Sequence, residues 1–166
     1  MVRDRSKSVK PLSPAEVREE DVDVLFMVWL VSRSTTDLLD SVLAPAGLSA
    51  DEFAIYSVLA AAPTITPSEL ARWMAAPATS VSSYVKRFEG RGHVVREPHP
   101  DDGRSYRIRL TPAGRKAHRA AAKLFRPIRS DVTAGLADEY IDVREDLLRL
   151  RVVVDGLRTQ TSDQTA

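Results

Sequence analysis

The stretch from Thr66 to Arg115 constrains the fold more than any other part of the chain. It begins Thr66-Pro67-Ser68-Glu69, where a threonine hydroxyl and a glutamate three residues later can cap each other's backbone amides. Proline at the first helical position costs no hydrogen bond. A second helix is predicted from Ala78 to about Gly90, followed by two strands, His93 to Arg96 and Ser105 to Leu110. This order predicts two short helices followed by a hairpin.

The second helix of this stretch has two chemically different faces. Val81, Val85 and Phe88 recur at spacings of four and three and define an apolar side. Short hydroxyl side chains and a lysine can approach phosphates and base edges closely, so the opposite face predicts contact with nucleic acid. The residues on that face and its margins are Thr79, Ser80, Ser82, Ser83, Lys86 and Arg87.

Basic residues gather in the same third of the chain. The formal net charge is only +1, yet residues 72–126 contain thirteen basic and four acidic residues, whereas residues 11–71 contain two and ten. A nearly neutral protein whose cations are concentrated in one region is suited to a polyanion, and duplex DNA is the leading candidate. The alternative is a basic surface that contacts only solvent.

Composition excludes several function classes. The chain has 166 residues, 43% of them hydrophobic and 28% charged, which is typical of one globular domain. It contains no cysteine, which excludes disulfides, thiolate metal sites and a thiol nucleophile. The longest dense apolar run, residues 22–31, is too short to cross a bilayer. We therefore expect a cytoplasmic protein without a membrane partner, and no motif predicts a cofactor.

Both ends of the chain carry apolar helical patterns that predict a homodimer. The first runs from about residue 15 to Pro45-Ala46-Gly47 and is apolar around much of its circumference. The last helix has apolar residues at a 4-3-4-3-4-3 spacing, which is typical of a helix–helix interface. Packing within one chain is the alternative. The residues of this spacing are Leu136, Tyr140, Val143, Leu147, Leu150, Val154 and Leu157.

These patterns predict a mainly α fold with a small β-hairpin. Pro127 is expected to kink the helix that begins at Thr111-Pro112. The predicted parts are a flexible arm at residues 1–15, dimerisation helices at residues 16–48 and 112–158, a DNA-binding lobe at residues 49–111, and a disordered tail at residues 159–166.

Two segments resemble the MarR family of winged helix-turn-helix regulators. The segment from Asp102-Gly103-Arg104-Ser105 through Leu110-Thr111-Pro112-Ala113-Gly114 looks like that family's wing signature. The segments Thr79–Ser82 and Phe88–Val94 are similar to its recognition helix and the exit from it. The likeness covers roughly residues 20–157. His93 departs from the usual Leu or Tyr, and Gly103 stands where many members carry arginine.

The resemblance implies an obligate dimer that binds a pseudo-palindromic operator. The recognition helix would enter the major groove through Thr79, Ser80, Ser82, Ser83 and Lys86. Arg104, oriented by Asp102, would enter the minor groove, and an arginine at a hairpin tip suits a narrow A·T-rich groove. A turn salt bridge is the alternative for this pair. Such regulators commonly repress transcription and release DNA on binding a small phenolic or anionic molecule.

Trp29, Arg33 and Tyr56 are candidates for a pocket that binds such an effector. The two aromatic rings could form apolar walls, and the guanidinium could hold an anion of a small aromatic or anionic ligand. The alternative places the aromatic residues in the ordinary core and Arg33 in an inter-helix ion pair.

Three other functions compete with DNA binding. A metal-responsive regulator of the same fold would use His93, Glu97 and His99, with His118 approaching, although Pro98 and Pro100 interrupt the strand. An enzyme is disfavoured because the adjacent residues Asp101 and Asp102 diverge, and no nucleophile–base or nucleotide-binding motif is present. An oligomerisation module would explain the terminal helices but not the basic segment.

Overall fold

The structure is a computed structural model that describes residues 22–62, 64–100, 102 and 105–164. The described chain is mainly helical and contains one antiparallel hairpin, as predicted from the sequence. The elements, in chain order, are α1 (Val24–Leu43), α2 (Ala50–Ala61), α3 (Pro67–Trp73), α4 (Ala78–Gly90), β1 (Val94–Pro98), β2 (Tyr106–Leu110), α5 (Pro112–Leu136) and α6 (Tyr140–Gln164).

Two capping boxes fix where α2 and α3 begin, and the second confirms the one predicted at Thr66–Glu69. At α2 the Ser49 hydroxyl accepts a hydrogen bond from the Glu52 amide at 3.2 Å, and the Glu52 carboxylate accepts one from the Ser49 amide at 3.4 Å. At α3 the Glu69 carboxylate accepts from the Thr66 amide at 2.8 Å, and Thr66 Oγ1 accepts from the Glu69 amide at 3.3 Å. Each box satisfies amides that have no partner inside the helix.

Helix α1 begins after Asp23, whose Oδ1 accepts from the Leu25 amide at 2.8 Å. The part of this helix predicted from residue 15 lies outside the described residues. The helix ends as expected, in a 3-10 turn over Ala44–Ala46 followed by Gly47 at φ 68°. No single described helix is long and apolar enough to cross a membrane, although α1 and α2 together, bent by 74°, satisfy length and composition alone.

The core lies between α2, α3, α4, the hairpin and the first half of α5. Tyr56 is fully buried and meets Phe88 edge to face, with the ring centroids 4.6 Å apart. Val81, Val85 and Phe88 point into this core, which confirms the predicted apolar side of α4. The other fully enclosed side chains of the cluster include Leu43, Ile55, Leu70, Ile108 and Leu110.

The hairpin is held at its base by a contact that the sequence did not reveal. The register runs from Val94 opposite Leu110 to Pro98 opposite Tyr106. Strand β1 therefore ends at Pro98, two residues past the predicted end of the strand. Ile65, just before α3, forms an isolated bridge with Ile108 through hydrogen bonds of 3.2 and 2.8 Å. The base of the hairpin is therefore joined directly to the start of the helix-turn-helix.

Helix α5 begins in close contact with the end of α4 and the start of β1. Thr111 caps α5 by accepting from the Gly114 amide at 3.0 Å, and its hydroxyl donates to the Gly92 carbonyl at 2.7 Å. The Thr111 amide also donates to the His93 carbonyl at 2.9 Å. A Cβ atom at Gly114 would lie 2.1 Å from that His93 oxygen, so only glycine fits this approach.

Two expectations about the C-terminal helices need correction. Leu136 is the last residue of α5, not part of the final helix, because a 3-10 turn over Ala137–Glu139 separates α5 from α6. Helix α5 continues through Pro127 without ending there, at the loss of one backbone hydrogen bond, and the kink at this residue stays a prediction. Helix α6 extends to Gln164, and so includes most of the segment expected to be a tail.

Candidate nucleic-acid interface

The structure presents the polar side of α4 to solvent. Thr79, Ser82, Ser83 and Lys86 are exposed, and Ser80 is half-buried. Their exposure follows from the apolar residues on the opposite side, which anchor α4 in the core. Pro77 precedes the helix and offers no side-chain cap, but its carbonyl accepts from the amides of Ser80 and Val81 at 3.0 and 3.2 Å. The helix therefore carries hydroxyls and one ammonium group on an accessible face.

Two of these hydroxyls already donate hydrogen bonds inside the helix. Ser82 Oγ donates to the Ala78 carbonyl at 2.9 Å, and Ser83 Oγ donates to the Thr79 carbonyl at 3.0 Å. Each bond joins a serine to the carbonyl four residues earlier, a common arrangement for serine in a helix. The oxygen lone pairs of both serines remain available to accept.

Arg87 is held by Glu52, the acidic residue of the α2 capping box. Its Nη1 donates to Glu52 Oε1 at 3.1 Å, while Arg91 Nη1 donates to Glu52 Oε2 at 3.0 Å. Half of the Arg87 side chain remains exposed, whereas Glu52 is 3% exposed. The pKa of Arg91 is raised, chiefly by its hydrogen bond to Glu52. Spacing alone could not show that α2 and α4 meet at this carboxylate.

The tip of the hairpin contains the predicted wing residues, Asp102 and Arg104. Arg104, the predicted wing cation, lies outside the described residues. Asp102 is exposed, and its carbonyl accepts from the Ser105 amide at 3.0 Å. Two cations of the described strands are paired with acids: Arg96 with Glu89 and Arg109 with Glu97, each at 2.6 Å.

The proposed pocket residues Trp29, Arg33 and Tyr56 occupy different environments. Trp29 and Arg33 are exposed on α1, where Trp29 stacks on Phe26. Tyr56 is enclosed in the core, and its hydroxyl lies 2.8 Å from His93 Nδ1. Burial raises the pKa of Tyr56. None of the three lines either of two cavities in the described chain, one between α3 and α6 and one at the junction of α5 and α6.

The residues of the metal alternative are also distributed among separate contacts. His93 contacts Tyr56, and Glu97 pairs with Arg109. His118 stacks on the ring of Phe53 and lies 3.2 Å from the Ser57 hydroxyl, and burial lowers its pKa. Within the described ranges no three His, Asp or Glu side chains are grouped as a metal site would require.

A cavity of about 740 Å³ separates α3 from α6. Trp73 of α3 is 61% exposed and forms part of its wall. Arg151 of α6 reaches across to donate to the Trp73 carbonyl at 3.1 Å. Beyond it, Arg158 donates to the Ala75 carbonyl at 3.2 Å. The other residues that line the cavity are Ala62, Thr64, Ile65, Glu69, Arg72, Leu148, Val152 and Asp155.

The residues of the predicted dimer interface lie around the junction of α5 and α6. A second cavity, of about 380 Å³, is lined there by Leu136, Tyr140, Val143 and Leu147 together with Val132, Arg144, Leu148 and Arg151. Leu147 and Leu157 are more than half exposed, and Leu150 and Val154 are half-buried. Most of the large apolar side chains exposed in the described chain lie on α1 and α6.

Comparisons with known proteins agree with this arrangement. The family model described as MarR family matches residues 46–105, which contain α2, α3, α4 and β1 and end just before β2. The multiple antibiotic resistance protein MarR of Salmonella typhimurium is 26% identical over 102 residues, covering 61% of this chain and 71% of that protein.

Two solved structures resemble the whole described fold. The transcriptional regulator MosR of Mycobacterium tuberculosis, solved in complex with DNA, is 27% identical, with a TM-score of 0.73 over 82% of this chain and 99% of MosR. MarR from Escherichia coli complexed with operator DNA gives a TM-score of 0.69 at 24% identity, over 78% and 94%. Through its capped helix-turn-helix, its hairpin and these matches, the chain is similar to the MarR family of winged helix-turn-helix regulators.

Proposed function

We propose that the protein is a homodimeric, sequence-specific repressor of transcription that binds duplex DNA and is released by a small aromatic or anionic molecule. The exposed hydroxyl-and-lysine face of α4, next to the hairpin, is the observation that carries the proposal. Relatives solved with DNA and relatives named repressors support it. Because its partner is genomic DNA, we place the protein in the cytoplasm.

In this proposal α4 is the recognition helix. Thr79, Ser82 and Ser83 contact base edges in the major groove, and Lys86 neutralises a phosphate. Ser80 and Arg87 lie at the margins of the same face, and Arg104 with Asp102 extends the contact into the adjacent minor groove. The residues opposite this face are core, so α4 can present it without losing its own packing.

Removal of one lysine charge tests this interface. Lys86→Ala should weaken operator binding and lower the slope of log K against log salt by about 0.9, the value for one phosphate contact. The measurement is fluorescence anisotropy with a labelled duplex from the DNA upstream of the protein's own gene, at several salt concentrations. Lys123→Ala is the matched control, because Lys123 is an exposed lysine on α5. Equal slopes for both variants and the unsubstituted protein would remove Lys86 from the interface.

The homodimer in this proposal is formed by α1, α6 and the end of α5. The exposed apolar side chains on α1 and α6 and the cavity at the α5–α6 junction are surfaces that a second copy can cover. Leu147→Glu would place a charge on that surface, so we expect a monomer in light scattering coupled to gel filtration. Val95→Glu, which introduces the same charge on the hairpin, should remain dimeric. A dimeric Leu147→Glu would show that this surface is not the interface.

A two-fold dimer predicts a two-fold operator. The two copies of α4 should protect half-sites whose centres are about one helical turn apart, roughly 10–10.5 base pairs. DNase footprinting on both strands measures this spacing. Protection of one unsymmetrical half-site would contradict the proposed assembly.

The α3–α6 cavity is our candidate for the effector site, in place of the Trp29, Arg33 and Tyr56 pocket. It combines an aromatic side chain, an apolar wall that includes Leu148 and Val152, and two guanidiniums, Arg72 and Arg151. This chemistry suits an aromatic carboxylate. An anion that binds Arg151 would compete with its hydrogen bond to the carbonyl of Trp73, and so would loosen the contact between α6 and the helix-turn-helix.

Benzoate and its neutral analogue benzamide test this assignment. Benzoate should raise the melting temperature and dissociate the DNA complex, whereas benzamide should do neither. Arg151→Met should abolish the response to benzoate. Arg149→Met, on the same helix but outside the cavity, should keep it. A response that survives Arg151→Met would place the effector elsewhere.

A further inference from the structure

The first turn of α2 contacts one edge of α4 through two adjacent carboxylates. The Tyr84 hydroxyl donates to Asp51 Oδ2 at 2.9 Å. Arg87 and Arg91 donate to the two oxygens of Glu52 at 3.1 and 3.0 Å. Tyr84 and Arg87 of α4 and Arg91, which caps the end of that helix, are spaced by three and four and so lie on the same side. One edge of α4 is therefore attached to α2 over about two helical turns.

Glu52 differs from the other capping-box glutamate in a way that capping does not explain. Both Glu52 and Glu69 accept from the amide of their cap residue, yet Glu69 is exposed and Glu52 is 3% exposed. Burial of an ionised carboxylate is costly unless cations and hydrogen bonds satisfy it. The two guanidiniums supply both, so the burial of Glu52 depends on α4.

The same contacts restrain the guanidinium of Arg87 from two sides. Glu52 holds its Nη1, and its Cζ lies 4.9 Å from the centroid of the Tyr84 ring. About half of the side chain is nevertheless exposed, next to Lys86 at the margin of the outward face. Arg87 is thus a cation with a fixed direction and an accessible surface.

We propose that Glu52 is a positioning residue for DNA recognition, which orients Arg87 so that it contacts a phosphate only when α4 sits in register on its operator. The inference rests on the proposed DNA-binding function. An arginine already fixed in its bound direction loses little conformational freedom on contact. An arginine without this restraint can follow phosphates of any sequence. Glu52 therefore contributes to discrimination between sequences and not to general attraction for DNA.

The test compares two duplexes of equal length, the footprinted operator and a scrambled version of it, with the full-length dimer. Glu52→Gln keeps the shape of the side chain and removes its charge. We expect operator binding to weaken by about tenfold, which is the effect of losing one hydrogen-bonded charge pair. Binding to the scrambled duplex should not weaken. Glu145→Gln, which removes an exposed carboxylate on α6, should change neither affinity.

Two further variants separate positioning from simple loss of stability. In an Arg87→Met background, Glu52→Gln should have almost no additional effect on discrimination, because the residue through which it acts is already absent. Arg87→Lys keeps the charge on a surface residue but loses the forked geometry, and should reduce discrimination about as much as Glu52→Gln. This variant leaves the buried carboxylate intact, so it remains informative if Glu52→Gln does not fold.

Three results would overturn the inference. The first is that Glu52→Gln weakens the binding of both duplexes by the same factor, or of neither. The second is that its effect on discrimination adds fully to that of Arg87→Met. The third is that Arg87→Lys discriminates between the duplexes as well as the unsubstituted protein does. A failure of the unsubstituted protein to distinguish the two duplexes would instead contradict the proposed function. The two failures are therefore distinguishable within one set of measurements.

Discussion

Gly114→Ala is the substitution whose consequence can be worked most directly from the structure. The added Cβ would lie 2.1 Å from the His93 carbonyl oxygen, roughly 1.3 Å short of the 3.4 Å at which ordinary contact begins, and 3.0 Å from the Leu110 side chain. The nearest atom belongs to backbone, so a side-chain rotation cannot relieve the clash. The start of α5 must move away from the end of α4.

That movement would break the contacts of Thr111 with Gly92 and His93, at 2.7 and 2.9 Å. Overpacking costs about 1–3 kcal/mol and a weakened cap about 1 kcal/mol, so we expect the free energy of unfolding to fall by about 2–4 kcal/mol. For a chain of this size the melting temperature should fall by roughly 5–15 °C. Urea unfolding followed by circular dichroism, and a thermal melt, measure both quantities.

Gly90→Ala is the matched control for this experiment. Gly90 is also helical, and a Cβ there would meet nothing within 4 Å. We expect its stability to equal that of the unsubstituted protein or to exceed it by up to about 1 kcal/mol, because alanine favours a helix over glycine. If Gly114→Ala is as stable as Gly90→Ala, then α5 does not approach His93 as described.

Two further predictions concern a helix cap and a buried histidine. Thr66→Ala removes the hydroxyl that accepts from the Glu69 amide, so it should lower the free energy of unfolding by about 1 kcal/mol in urea. Ser68→Ala, two residues further along the same helix, should lower it by less. Burial lowers the pKa of His118 from 6.5, so the unfolded chain binds more protons than the folded one, and stability should fall as the pH drops below about 6.5. Thermal melts at pH 7.5 and 5.5 should show a smaller fall for His118→Gln than for the unsubstituted protein, and an equal fall would show that His118 does not contribute.

Local sequence signals predicted the lobe well because the chemistry that they report is local. A capping box needs only four consecutive residues, so Ser49–Glu52 and Thr66–Glu69 could be identified without knowledge of the fold. The apolar residues of α4 follow helical spacing, which fixed the exposed face as well as the buried one. The glycine at position 92, with φ 68°, marked the end of the same helix.

Contacts between distant segments could not be predicted in this way. Glu52 and Arg91 are 39 residues apart, and nothing in the spacing of either indicates the other. Ile65 alone pairs with Ile108, and a segment of one residue is too short to be predicted as a strand. Trp73 lies three residues after the buried Leu70, a spacing that predicts burial, but α3 is only seven residues long and Trp73 lines the cavity beside α6. The periodicity that linked Leu136 to the last helix could not show the 3-10 turn that separates them.

The internal hydrogen bonds of Ser82 and Ser83 have a consequence for the kind of operator that α4 can read. With the hydroxyl hydrogen directed to the helix backbone, each serine faces the groove as an acceptor. Among major-groove base edges, the amino groups of adenine and cytosine are the donors, whereas guanine and the O4 of thymine offer only acceptors. The bases beneath these two residues should therefore be enriched in adenine and cytosine. A guanine or thymine at those positions would require each serine to give up the bond that it now makes to its own helix.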